Sequence, residues 1–121
     1  MTFQELKTHC LSRKGAYEDY PFGPEPLVVK VVSKIFVLVS NKSGKISISL
    51  KCDPFLAQNL REQYPSVTPG YHLNKEHWNT VLLDSSIPHS EILWMIDHSY
   101  EMVVKGLTSE EKKALSSTSY T

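Results

Sequence analysis

The stretch LVVKVVSKIFVLVSNKSGKISISLK, residues 27–51, decides the fold. Two runs dense in β-branched residues, LVVKVV (27–32) and KIFVLVS (34–40), meet at a tight connection at Ser33-Lys34, and NKSG (41–44) makes a second turn. Runs of this kind bounded by turn residues read as strands joined by hairpins. The third run, KISISLK (45–51), alternates strictly. Lys45, Ser47, Ser49 and Lys51 share one face, and Ile46, Ile48 and Leu50 share the other. Because successive strand side chains point to opposite faces, the pattern predicts an antiparallel sheet with one dry face and one wet face.

Helices flank this meander. Thr2 and Glu5 have the spacing of a capping box, and Phe3, Leu6, Cys10 and Leu11 recur at helical intervals up to Arg13-Lys14-Gly15. EDYPFGPEP (18–26) reads as a loop. Asp53 is placed as an N-cap with Pro54 at the first helical position, and Leu56 and Leu60 supply an apolar face to about Gln63. YPSVTPG (64–70) is a loop or short edge strand broken by Pro65 and Pro69, and WNTVLLD (78–84) is another strand. SSIPHSE opens the longest helix, whose stripe of Ile92, Ile96, Ser99 and Val103 runs to Lys105 before Gly106 stops it. Thr108 and Glu111 recap a short final helix. The order α-β-β-β-α-β-β-α plus that short helix predicts a single α+β domain over residues 1–115, with a polar tail at 116–121. Helices cover one face of its antiparallel sheet.

A chain of 121 residues with 40% hydrophobic content has the size for one core. No apolar run approaches the roughly 20 residues that span a bilayer, so no membrane association is expected. MTFQELKTHC lacks the layout of a signal peptide, and a cytoplasmic address follows. Net charge is zero, yet residues 30–75 hold seven basic residues against two acidic ones, an excess of five that the rest of the chain balances. On charge alone, the lysines of the wet face read as keeping an exposed sheet soluble. Cys10 and Cys52 are expected to be reduced, with Cys52 placed where a helix start favours the thiolate.

Chemistry-bearing residues concentrate in PGYHLNKEHWNT (69–80). His72, His77 and the later Asp84 have the types of a three-ligand metal site, but a turn separates the imidazoles. The favoured reading is structural: Asn74 caps the turn before Trp78, and both imidazoles bond backbone or helix ends. Glu18 and Asp19 form a second candidate, an acid pair better read as solvated, and Asp97-His98-Ser99-Tyr100 spreads around a helix rather than converging. No catalytic residue, metal or cofactor is assigned, and a non-enzymatic protein is expected. An alternative is a small-molecule or protein-binding module, with a pocket between the sheet and the long C-terminal helix lined by Tyr20, Phe22, His72 and Trp78.

Several segments together carry a resemblance. DYPFG (19–23), KV (30–31) with KIF (34–36), LKCDP (50–54), PGYHLNKEHWNTV (69–81) and IDHSYEMVV (96–104) follow one another as in the MmcQ/YjbR family. The likeness covers about residues 2–115. It implies a CyaY-like fold, similar to that of frataxin, and a DNA-binding protein with a double wing of β-hairpins. The wings would then be the hairpins around Ser33-Lys34 and Lys42–Lys45. Lys30, Lys34, Lys51, Lys75 and His77 would join Lys42 and Lys45 as contacts to duplex phosphates. Ser33 stands where the resemblance leads one to expect glycine, which implies a stiffer first wing. Frataxin's iron role does not carry over, since the first helix offers only Glu5 and His9.

Overall fold

Residues 16–51 form a four-stranded antiparallel meander: β1 (Ala16–Asp19), β2 (Leu27–Val31), β3 (Lys34–Lys42) and β4 (Lys45–Lys51). The computed structural model describes residues 1–42, 44–70 and 73–117. β5 (Val67–Pro69) and β6 (Trp78–Leu82) extend the sheet to six strands in the order β1-β2-β3-β4-β6-β5. Helices α1 (Phe3–Leu11), α2 (Pro54–Gln63), α3 (His89–Lys105) and α4 (Ser109–Ser116) complete the α+β domain. α3 crosses β2, β3 and β4, while α1 packs beside β1 and α2 beside β5 and β6.

The alternation read from KISISLK sets the two faces. Ile48 and Leu50 turn inward with Val37, Val39 and Val81, and meet Leu6, Ile92, Ile96 and Val103 from the helices. Each such aliphatic side chain contributes about 2 kcal/mol on burial. Ser47, Ser49 and Lys51 turn outward, away from the helices. The helix starts are as the sequence predicts. Thr2 Oγ1 accepts from the Glu5 N–H (3.1 Å) while Glu5 Oε1 accepts from the Thr2 N–H (3.0 Å). Asp53 Oδ2 accepts from the Leu56 N–H (3.1 Å), and Thr108 and Glu111 repeat the reciprocal cap.

Three details differ from the sequence reading. The loop expected at 18–26 begins inside a strand, so the order has one strand more than predicted. AYED carries no apolar alternation; it is a strand because it pairs with β2 along the sheet edge, Ala16 opposite Val31 and Asp19 opposite Val28. The first hairpin tip is Val32-Ser33 rather than Ser33-Lys34, with Val31 opposite Lys34. Both tip residues have positive φ, 46° and 64°. That is the two-residue turn whose twist suits a hairpin, but it forces a β-branched side chain into the left-handed region. Finally, β3 runs to Lys42, which pairs with Lys45, so the second hairpin is tighter than NKSG suggests.

A bulge in β3 gives Ser99 a role beyond that of a small spacer. Val29 pairs with Val37 but Lys30 pairs with Ile35, which leaves Phe36 as an extra residue. Beyond the Val37–Leu50 pair the β3–β4 ladder opens. The fully buried Ser99 hydroxyl fills the opening, donating to the Phe36 carbonyl (2.6 Å) and accepting from the Lys51 N–H (2.8 Å). A side chain from α3 thus replaces a rung of the sheet. Next to it, Tyr100 sets its ring edge-on to Phe36 at 5.3 Å and donates its hydroxyl to the Lys14 carbonyl.

Candidate nucleic-acid interface

Register defines the interface. β2 leaves β3 at the Leu27–Val39 pair, and β6 leaves β4 at the Leu82–Ser47 pair. The β3–β4 ladder continues past both through Asn41–Ile46, where the Leu83 N–H still donates to the Ile46 carbonyl (2.9 Å), and clears both neighbours at Lys42–Lys45. Its end is therefore a two-stranded ribbon projecting beyond the sheet. Lys42 and Lys45 face each other at its tip, both exposed, and neither has an ion-pair partner among the described residues. At the ribbon's base, the Glu25 carboxylate accepts the Asn41 N–H (2.9 Å).

Below the tip lies the outward face of the sheet. Lys51 stands directly opposite Trp78, Ser49 opposite Thr80 with their hydroxyls 3.0 Å apart, and Ser47 opposite Leu82. Toward β1 this face becomes more enclosed. Val28 is fully buried although it faces away from the main core, and the Lys30 ammonium is held by Asp19 (2.9 Å).

The remaining predicted contacts are dispersed. Lys34 and Lys42 stand at opposite ends of β3, about 26 Å apart at the rise of a strand. Two hairpins that share a strand must point opposite ways. Lys34 instead lies near α4, where Glu111 is held below its usual carboxylate range by the Thr108 N–H, with Lys34 adding to the effect. The Lys75 ammonium donates to the Gly70 carbonyl (3.3 Å). His77 is half-buried, and its carbonyl accepts the Cys52 N–H (2.8 Å). Lys42, Lys45 and Lys51 are the predicted residues that share the ribbon and its adjoining face without an ion-pair partner among the described residues, Lys30 being held by Asp19.

Tyr20 and Phe22 follow β1 and are exposed, whereas Trp78 begins β6, four strand spacings or about 19 Å across the sheet. These members of the alternative pocket do not converge, and His72 lies outside the described residues. A shallow groove of about 520 Å³ runs elsewhere, between α1 and α3, past Gln4, Thr8, His9 and Leu93. A crevice between α2 and α3, lined by Cys52, Leu60, Trp94 and His98, is of single-water size.

The other chemistry-bearing groups are occupied in the structure. Burial pushes the Cys52 thiol up to about 11, with the Asp53 charge adding to it, so the helix start does not yield the thiolate expected there. Burial likewise pushes Cys10 up to about 12. Glu18 and Asp19 point to opposite faces, and each is held low by its own partner, Lys7 (3.0 Å) and Lys30 respectively. They are no acid pair. His98 Nε2 accepts from the Asp53 N–H (3.3 Å) while its ring stacks on Trp94. Among the described residues no cluster of three His, Cys, Asp or Glu could hold a metal ion, and no helix is long and apolar enough to cross a membrane.

PGYHLNKEHWNT is held by residues that motif reasoning passed over. Arg61 of α2 donates through Nε to Asn79 Oδ1 (2.6 Å) and through its terminal nitrogen to the Lys75 and Trp78 carbonyls. The buried Asn79 donates in turn to the Ala57 carbonyl (3.2 Å). Asn74 caps the turn as expected, its side chain accepting the Glu76 N–H (2.9 Å). Gly70 is required by space, since a Cβ there would sit 2.8 Å from Trp78 Cβ.

Comparison with known proteins agrees with this architecture. The profile of the YjbR family matches residues 11–102. The uncharacterized protein YjbR of Escherichia coli strain K12 is 38% identical over 115 residues, which cover 95% of this chain and 98% of that protein. The uncharacterized protein YyaQ of Bacillus subtilis is 28% identical, covering 84% of this chain and 98% of its own. Among solved structures, Deinococcus radiodurans DR2400, with a DUF419 domain, superposes with a TM-score of 0.87 at 38% identity, covering 95% of this chain and 88% of that one. A Pseudomonas syringae protein superposes with a TM-score of 0.73 at 28% identity, covering 84% and 98%.

Proposed function

The chain belongs to the YjbR family, and from that premise we propose that it binds duplex DNA, with the β3–β4 ribbon as the contacting element. One observation carries the reading: Lys42 and Lys45 directly oppose each other on a ribbon that outruns both neighbouring strands. Like charges in opposed ladder positions destabilise a sheet, and a phosphate between them offsets that repulsion. A two-stranded ribbon also has the width to enter the major groove of B-form DNA. Lys51, on the same face further along β4, adds a third positive charge. The geometry favours one wing over two, because the hairpin at Val32-Ser33 points the other way.

The test is a salt titration of duplex binding by fluorescence anisotropy. Three phosphate contacts give a slope of about −2.7 in log K against log salt, or about a 40-fold loss between roughly 50 and 200 mM. Lys42→Glu with Lys45→Glu should remove binding, and Lys34→Glu should leave it unchanged. No binding by micromolar protein at low salt refutes the proposal.

A further inference from the structure

We propose that the outward face of β3, β4 and β6 seats single-stranded nucleic acid, an extension that rests on the ribbon's reading as a DNA contact. The face has the three components that a strand with unpaired bases uses. Lys45 and Lys51 both point outward from β4, about 20 Å apart at the rise of a strand, which is a span of a few nucleotides. Between them run the hydroxyls of Ser47, Ser49 and Thr80. At the far end Trp78, half-buried, stands opposite Lys51.

Charge complementarity selects the occupant. Every outward position that pairing assigns on β3, β4 and β6 is a lysine, a hydroxyl residue or an apolar residue; none is acidic. Asp19 on β1, the outward acid nearest in register, is already held by Lys30. A polyanion therefore meets a lysine at each end of the track and no carboxylate on its strands, and Glu25 at the ribbon's base is engaged by the Asn41 N–H. A duplex cannot lay its stacked bases on a sheet, but a single strand can splay them onto an open sheet with an aromatic platform. Stacking on Trp78, with phosphates at Lys51 and Lys45, orients the strand along β4 and leads it toward the ribbon. The duplex-contacting tip and the strand track would then be continuous.

The experiment uses the full chain in a Trp94→Phe background, where Trp78 is the one remaining tryptophan. The probe is a thymidine 12-mer, followed by Trp78 emission and by anisotropy of a labelled copy. The expected result is quenching of Trp78 on binding. Trp78→Ala should weaken binding of the 12-mer about 5- to 150-fold, the range for losing one stacked base, while changing duplex affinity less than about two-fold. Lys51→Glu, which leaves the aromatic in place and so guards against misfolding of the tryptophan variant, should weaken the 12-mer and, as one of the duplex phosphate contacts, the duplex too, while quenching of Trp78 by the bound 12-mer persists. Duplex binding with no response to the 12-mer overturns this inference and leaves the ribbon proposal standing. Equal losses for both ligands in Trp78→Ala also overturn it. Failure of both ligands to bind removes the ribbon proposal as well.

Discussion

Ser99→Ala isolates the joint between α3 and the sheet. Its hydroxyl makes two short bonds, to the Phe36 carbonyl and from the Lys51 N–H, at a fully buried position. Removing it deletes one oxygen and leaves a backbone acceptor and a backbone donor facing each other across the β3 bulge. A buried polar group that loses its partner costs about 1–3 kcal/mol. Two such groups set an expected loss of about 2–5 kcal/mol, or roughly 8–20 °C in Tm for a domain of this size. The lower end applies if β3 and β4 draw together and recover part of a direct bond. Urea unfolding followed by circular dichroism gives the number directly, and an unchanged m-value would show that the native state alone is affected. Ser116→Ala is the matched control, since among the described residues its exposed hydroxyl bonds the Lys113 carbonyl of its own helix, and it should stay within about 0.5 kcal/mol. If Ser99→Ala is as mild as that control, the hydroxyl is not a rung of the sheet and the account of the bulge is wrong.

Val32→Asn should raise stability by about 0.5–1 kcal/mol, because asparagine tolerates the positive φ that valine is forced to adopt; a loss in thermal unfolding would count against a strained tip. Arg61→Ala should cost about 2–3 kcal/mol by removing the charged donor to Asn79, Lys75 and Trp78. Hydrogen exchange should then speed at residues 74–79 before it does so in β2 or β3, and uniform acceleration would contradict the assignment. The Asp19 carboxyl is held below its ordinary 3.8 chiefly by the Lys30 hydrogen bond. Its contribution is accordingly complete above that value and is lost as pH falls through the lowered one. An NMR titration should find Asp19 low in the native protein and higher in Lys30→Met, where the Tyr20 N–H still holds it down in part; no difference between the two would rule out the pairing.

Much of this was legible because it is local. The alternation of KISISLK gave both faces of β4, and the caps at Thr2, Asp53 and Thr108 lie within three residues of their partners. What escaped depends on distant neighbours. β1 has no strand pattern of its own and is held by β2. Ser99 looks like a spacer until a bulge 63 residues away opens a gap for its hydroxyl. Arg61 belongs to no motif, and only the fold brings it under the turn at 74–78. Among the predicted phosphate contacts, Lys34, Lys42 and Lys45 stand at hairpin ends, whereas Lys30 and Lys51 lie along strands. Their dispersal follows from topology, since a meander sends successive tips to opposite ends of the sheet.

The central claim is that the β3–β4 ribbon is the contact surface, and an amide chemical-shift map on adding a short mixed-sequence duplex tests it most directly. The account predicts that the largest changes fall within residues 40–47 and fade toward the Val32-Ser33 tip and α4. Changes centred on α1, α4 or the Val32-Ser33 hairpin, or none at saturating duplex in low salt, would contradict it.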